Sequence, residues 1–286
     1  MQGLHSYLHV REMLAAFLEE DIGAGDITSE SLIPANLEAR AKIICKSTTP
    51  AIVCGLEEAA MVFELCGCAA NILAKDGSRV RKGKTVMTVS GGARQILKAE
   101  RTALNLIMRM SGISTDTRHL VDAAKGIKIL ATRKTAPGLR YFDKKAVVVA
   151  GGGAHRSRLD DLILIKDNHL ALAGSPKNCV TKARKHIGIS SAIECEARNQ
   201  SEAIEAIYAG ANIVMLDNFT PGEARKTIQT LSRMGLRRKA KIEISGGVNT
   251  KNILQYARAR PDFISLGFIT HSPKAVDFSL EIITVV

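Results

Sequence analysis

The sequence predicts an α/β protein whose C-terminal part is a parallel sheet or barrel. Three observations carry this. From Lys125 onward, short apolar runs (127–131, 162–165, 192–196, 213–216, 241–244 and 263–266) alternate with helical stretches (144–150, 177–187, 200–209, 221–233 and 249–259). That βα rhythm builds a parallel sheet with right-handed crossovers. Hydrophobic residues make up 46% of the chain but aromatics only 4%, with no Trp; such an aliphatic core suits helices packed on a parallel sheet. A length of 286 residues accommodates one large domain or two ordinary ones.

Taken in order, residues 9–20 read as an amphipathic helix with Val10, Met13, Leu14, Phe17 and Leu18 on one face. Residues 20–29 (Glu-Asp-Ile-Gly-Ala-Gly-Asp-Ile-Thr-Ser) then form a structured loop, either a well-capped turn or a loop on the substrate side. A strand pattern over 39–48 and a helix over 56–66 follow. Two strand patterns within 71–89 surround Asp76-Gly77 and Lys82-Gly83. Biotinyl and lipoyl carrier hairpins share that cadence, but a carrier presents its Lys at a tight hairpin tip. Here Lys82 lies beside Arg81 and the chain runs on into a long helix, so ordinary β-turn usage accounts for it. Residues 95–124 give the longest helical pattern, with Ser111-Gly112 as a candidate break, since Gly is a poor interior helix residue. Glu100 and Arg101 on this helix read equally as a surface pair or as part of a site.

Several function classes are excluded or disfavoured. No apolar run approaches the ~20 residues of a membrane helix, and Gln2, His5 and His9 interrupt any signal-peptide pattern; the expectation is a cytoplasmic protein with no membrane partner. The six cysteines include no Cys-x-x-Cys pair, so they read as small hydrophobes rather than metal ligands. The formal charge of +12 invites nucleic acid as a partner, but few aromatics means few stacking platforms. The excess is also local: residues 125–160 hold nine Lys or Arg against two Asp. A focused field of this kind gathers small polyanions, and no nucleic-acid partner is expected.

The stretch Gly151 to His169 organises the chain. Three glycines lead into His155, Arg156 and Arg158, then a buried strand over 162–165 ends at Lys166-Asp167-Asn168-His169. Every other apolar run ends similarly: at Thr132-Arg133-Lys134-Thr135, Glu196, Asp217-Asn218, Ser245-Gly246-Gly247 and Gly267. In a βα barrel these C-terminal strand ends converge on the mouth where active sites lie. The mouth then holds two acids (Glu196, Asp217), several cations (Arg133, Lys134, Arg156, Lys166) and His155. Gly246-Gly247, read as opening a helix, favours a phosphate. Arg forks fit carboxylates, while Lys acts as a point charge on phosphate. Two carboxylates can hold a ribose diol, or Mg²⁺ with its waters. The inventory fits a phosphorylated sugar and a carboxylate-bearing acceptor.

These motifs resemble those of the quinolinate phosphoribosyltransferase family, the type II phosphoribosyltransferases of NAD biosynthesis. The resemblance runs over nearly the whole chain: residues 20–29, Glu100-Arg101-Thr102-Ala103-Leu104-Asn105, Ser111-Gly112-Ile113, residues 132–140, residues 151–169, Met215-Leu216-Asp217-Asn218-Phe219, Ser245-Gly246-Gly247 and Thr270-His271-Ser272. It implies an N-terminal α/β sandwich (1–112, completed by 271–286) and an open, TIM-like α/β barrel (113–270). A homodimer, or a higher assembly of dimers, is also implied, with Arg101 reaching the partner's active site. By matching positions, Arg101, Arg133, His155, Arg156 and Lys166 would line the quinolinate pocket. Lys134 and Lys166 would face phosphates, Ser245, Gly246, Gly247 and Gly267 would cradle one, and Glu196 and Asp217 would hold ribose hydroxyls or Mg²⁺ through water. Lys134, Lys166, Glu196 and Asp217 are the expected catalytic set. The implied reaction converts quinolinate and phosphoribosyl pyrophosphate (PRPP) to nicotinate mononucleotide, pyrophosphate and CO₂.

The chain departs from the family pattern at Ala154, often Asn, at Arg158, usually Gly, and in the less acidic segment 194–198. Alternatives are the related ModD-like group linked to molybdate transport and a nicotinate-specific phosphoribosyltransferase. Retention of Ile165-Lys166-Asp167-Asn168-His169 favours the quinolinate enzyme.

Overall fold

The computed structural model describes residues 2–187 and 191–285. In chain order the elements are α1 (Gln2–Ile22), α2 (Ile27–Leu32), β1 (Glu38–Cys45), β2 (Ala51–Ile52), α3 (Leu56–Leu65), β3 (Ala69–Ile72), β4 (Arg79–Val80), β5 (Thr85–Gly92) and α4 (Ala93–Ala123). They continue as β6 (Lys128–Ala131), α5 (Arg140–Val149), β7 (Ile163–Ile165), α6 (Asp167–Ala173), α7 (Pro176–Ile187), β8 (Ile193–Ala197), α8 (Gln200–Tyr208), β9 (Ile213–Asp217), α9 (Pro221–Arg233), β10 (Lys241–Ser245), α10 (Ile253–Ala257), β11 (Phe263–Leu266), α11 (Phe268–His271) and β12 (Phe278–Val285). Two compact units result: Met1–Asp116 with Ala136–Ala150 and Ser272–Val286, and Thr117–Thr135 with Gly151–His271. Among the described residues no helix is long and apolar enough to cross a membrane.

The first unit is built on an antiparallel sheet, β12-β1-β5-β3. The C-terminal strand enters beside β1, with Ile43 opposite Leu280. Helix α3 packs on β3 and β5, and α1 packs on α3; Ile43, Phe63 and Met87 are fully buried between these layers. In the 20–29 segment Asp26 accepts the Ser29 N–H at 3.0 Å and caps α2, which is the well-capped turn. Helix α4 runs unbroken through Gly112. Glycine is required there because a Cβ would collide with the Lys274 carbonyl. Close packing, not a helix break, explains that residue.

One boundary differs from the sequence reading, which assigned residues 136–150 to the barrel. They belong to the first unit. Both charge and packing hold them there: Asp143 on α5 accepts two hydrogen bonds from Arg109 on α4 at 2.8 and 2.9 Å, Lys145 reaches Glu58 on α3 at 2.8 Å, and the buried Phe142 ring packs on Phe17 of α1. The unit boundaries also fall at 116/117 and 271/272 rather than 112/113 and 270/271. Val286, the last residue of the expected tail, lies outside the described residues.

The second unit holds six parallel strands in the order β6-β11-β10-β9-β8-β7. Gly153 adds a parallel bridge to Leu130 on the outer edge of β6. A Cβ there would come within 2.6 Å of the end of the Leu130 side chain, which would have to shift. The six apolar runs of the sequence are these six strands. β8 is buried at all five positions, as expected of a parallel strand covered on both faces. The sheet curls: Glu194 on β8, Glu243 on β10 and His155 beyond Gly153 bring ligand atoms within 4.8 Å of one another. These side chains from β8 and β10, on either side of β9, share one face of the sheet.

Candidate active site

The strand ends open into a cavity of about 590 Å³ lined from every strand of the barrel: Thr132, Arg133 and Lys134 after β6, Lys166 and Asp167 after β7, Glu196 on β8, Asp217 and Asn218 at β9, Ser245, Gly246 and Gly247 at β10, and Gly267 after β11. Alternate residues of each strand share a face, so Leu164 and Lys166, Met215 and Asp217, and Glu243 and Ser245 reach the cavity in pairs. The barrel-borne candidates predicted from the sequence all meet here. Arg101 is exposed on α4 in the first unit. Of the four polar residues after β7, Asp167, Asn168 and His169 are exposed; His169 Nδ1 accepts the Lys166 N–H at 2.9 Å and helps to start α6.

Glu196 is 5% exposed. One carboxylate oxygen accepts from Lys166 Nζ at 2.8 Å and the other from the Asp167 N–H at 3.0 Å. Asp217 faces the same space. Burial first, then the charge of Glu196, raises its carboxyl above the usual range, and one oxygen accepts from Asn218 Nδ2 at 2.7 Å. Asn218 adopts a left-handed backbone, φ +58°, and its own N–H donates to Ser245 O at 2.9 Å. It thereby ties the carboxylate of β9 to the glycine turn of β10.

Gly246 and Gly247 both have positive φ, +85° and +66°, and a Cβ on Gly246 would collide with the Asn218 side chain. Helix α10 begins only at Ile253, so these glycines do not open a helix as the sequence reading had it. Consecutive residues of positive φ at a turn are a backbone form that can present main-chain N–H groups to an anion. Across the cavity, Gly267 allows Lys134 and His271 to lie against its Cα, and Thr270 Oγ1 donates to Lys134 O at 2.9 Å.

Arg156 is buried, and burial followed by the charge of Arg133 works against its own charge. The Arg133 Nε is buried with no acceptor among the described residues. Two guanidinium groups lining one cavity, one with an unused donor, suit an anion with several oxygens. His155 also lines the cavity, but both ring nitrogens are engaged by the protein. Arg156 N–H donates to Nδ1 at 2.7 Å, and Nε2 lies 3.1 Å from Glu194 and 3.5 Å from Glu243. Burial disfavours the imidazolium, yet the two carboxylates outweigh it and raise His155 to about 9. The Arg156 N–H favours the neutral ring. In either form a proton sits on Nε2, facing the carboxylates. Arg158 is exposed, with its N–H donated to Asp161 at 3.0 Å. It does not occupy the left-handed region, so the departure from Gly places no strain on the loop.

Sequence reasoning assigned no role to Asn218, His271, Glu194 or Glu243. His271 and Asn218 lie within the quoted motifs, which was the available signal. The buried glutamates gave one too, as acids inside otherwise apolar runs.

A parallel α/β barrel whose mouth gathers a glycine turn, two acids and several cations suits the class of enzymes that act on a phosphorylated sugar and a carboxylate-bearing acceptor. Comparison with known proteins narrows this. Residues 26–111 match the quinolinate phosphoribosyl transferase N-terminal domain, and residues 113–281 match its C-terminal domain. A probable nicotinate-nucleotide pyrophosphorylase (carboxylating) from Methanothermobacter thermautotrophicus is 43% identical over 96% of this chain and 97% of its own. The rat nicotinate-nucleotide pyrophosphorylase (carboxylating) is 36% identical over 93% of this chain and 89% of its own. The structure of the Francisella tularensis nicotinate-nucleotide pyrophosphorylase superposes with a TM-score of 0.88 at 36% identity, covering 96% of each chain. The chain belongs to the quinolinate phosphoribosyl transferase family.

Proposed function

We propose that the barrel mouth transfers the phosphoribosyl group of PRPP to quinolinate with decarboxylation, forming nicotinate mononucleotide, pyrophosphate and CO₂ for NAD biosynthesis. The observation that carries the residue assignment is the Arg133–Arg156 pair with the unused Arg133 Nε, which suits a dicarboxylate better than a single carboxylate. Lys166 adds a third cation at the same wall, and the partner's Arg101 completes the pocket in a homodimer. His155 closes its floor. The Ser245-Gly246-Gly247 turn and Gly267 cradle phosphate, with Lys134 as point charge.

The cations hold the quinolinate ring nitrogen in line with the anomeric carbon. The C–O bond to pyrophosphate breaks as the C–N bond forms, through an oxocarbenium-like transition state. Glu196 and Asp217 stabilise it by gripping the ribose hydroxyls, and Lys134 and Lys166 neutralise the leaving group by fixed charge. No covalent enzyme intermediate is needed. Once the ring nitrogen is quaternised, the ring accepts the electron pair of the breaking C–CO₂ bond, and the carbon takes a proton.

Asp217 fits Mg²⁺ carried on PRPP, since it keeps an oxygen free of the Asn218 bond. Both Glu196 oxygens already accept hydrogen bonds; Glu196 would help to hold the ion through water. When bound, Mg²⁺ adds positive charge to the pyrophosphate. The free state of the cysteines among the described residues supports a reducing, cytoplasmic setting.

The test is product formation from PRPP and Mg²⁺ with quinolinate and nicotinate in parallel. Nicotinate mononucleotide and CO₂ from quinolinate alone is the expected result. Turnover of nicotinate overturns the dicarboxylate assignment, and silence with both acceptors favours the ModD-like reading.

A further inference from the structure

Beneath the mouth lies a cluster that the reaction scheme does not use. Glu194 on β8 and Glu243 on β10 are wholly buried. Their flanking residues in the same strands, Ile193, Cys195, Ile242 and Ile244, are apolar and fully buried, so burial alone would favour an apolar residue. A buried carboxylate is costly unless it is paired and hydrogen-bonded. These two share one imidazole, with His155 Nε2 at 3.1 and 3.5 Å. Their four oxygens have no hydrogen-bond donor of good geometry among the described residues.

His155 is itself constrained. Its φ is +47°, a backbone state that a non-glycine residue keeps only when its surroundings fix it. The next residue donates its N–H to His155 Nδ1 at 2.7 Å. That residue is Arg156, which feels the opposing charges of Arg133 and Glu194 and whose Nη1 donates to Leu162 O at 3.3 Å. The chain of contacts therefore runs from two buried acids through one ring to the guanidinium pair.

We propose that Glu194 and Glu243 are positioning residues for quinolinate binding: they anchor the Nε2 edge of His155, and the anchored ring fixes the main chain of Arg156 so that its guanidinium stays beside Arg133. This rests on the assignment of Arg133 and Arg156 to the dicarboxylate pocket. Glu194 lies behind the cavity lining, and Glu243, which reaches the cavity wall, acts through His155. The charge of Glu194 also offsets the opposing charge that Arg156 feels from Arg133, before the dianion arrives.

The experiment compares Glu194→Gln, Glu243→Gln and the double variant with wild type, and runs Arg133→Ala beside them. The amides keep the shape and remove the charge. The expected result is a quinolinate KM raised at least tenfold in the double variant, with the PRPP KM within twofold and the thermal midpoint unchanged or raised. A Glu243→Asp variant should restore most of the quinolinate KM lost in Glu243→Gln. An unchanged quinolinate KM in the double variant, with Arg133→Ala impaired, overturns the positioning role and leaves the pocket assignment standing. An equal loss for both substrates with a lowered midpoint means a structural role and also overturns it. Unchanged quinolinate binding in Arg133→Ala instead brings down the pocket assignment itself. Should the double variant not fold, ¹⁵N resonances of His155 in the wild-type protein decide. On quinolinate titration Nε2 should stay protonated and hydrogen-bonded to carboxylate; transfer of that contact to quinolinate overturns the proposal.

Discussion

In the first unit each wholly buried acid meets a strong cation, though Lys145 also reaches the exposed Glu57. Asp143 on α5 is held by both ends of the Arg109 fork, and Glu58 on α3 by Lys145 on α5. In the barrel, Glu194 and Glu243 share a single imidazole. The first arrangement joins elements: it fastens α5 to α4 and α3. The second adds no link between β8 and β10, which both pair with β9, but fastens the His155 loop to them. Charge matching thus separates ion pairs that hold the fold from a cluster that holds a site.

The largest test of that contrast is Asp143→Ala. Removing one partner of a buried pair should cost about 3–5 kcal/mol, read by urea unfolding, whereas Glu243→Gln should stay within about 1 kcal/mol of wild type. Similar losses in both would break the comparison. Next comes Arg133→Ala, which should weaken quinolinate binding by about 2–5 kcal/mol, on the order of thirtyfold or more, with the fold intact; isothermal titration measures it. Gly246→Ala places a side chain at φ +85° and against Asn218. It should cost about 1–3 kcal/mol of strain and raise the PRPP KM more than the quinolinate KM.

A smaller effect is expected from pH. His155 is raised from its ordinary value to about 9 by its carboxylates, so the folded chain holds a proton that the unfolded chain has released. That stabilisation is complete below about pH 6.5 and is lost as pH rises through about 9. The thermal midpoint should fall over this window, and the fall should shrink in the Glu194→Gln, Glu243→Gln double variant. Least affected should be Arg158→Gly: an exposed side chain outside the left-handed region should change stability by under about 0.5 kcal/mol.

Much of this molecule is written in local pattern. The six strands of the barrel match six apolar runs because a parallel strand is covered on both faces and must be apolar throughout. Their polar ends announced the mouth, since only a barrel gives such residues a common destination. Short helices were less legible. α2, α6 and α11 span 6, 7 and 4 residues, too few for a periodic signal, and they depend on caps and on neighbouring loops.

The sequence by itself determined the strand periodicity, the basic segment over 125–160, the family motifs and the residue types at the mouth. Tertiary structure decided which charges meet: Asp143 with Arg109, Lys145 with Glu58, and two acids of different strands with His155. It also decided that α5 belongs to the first unit. The reason is the range of the forces involved. Periodicity arises from backbone geometry within a few residues, whereas ion pairing depends on sheet order and curvature, which bring distant segments together and which no local pattern encodes.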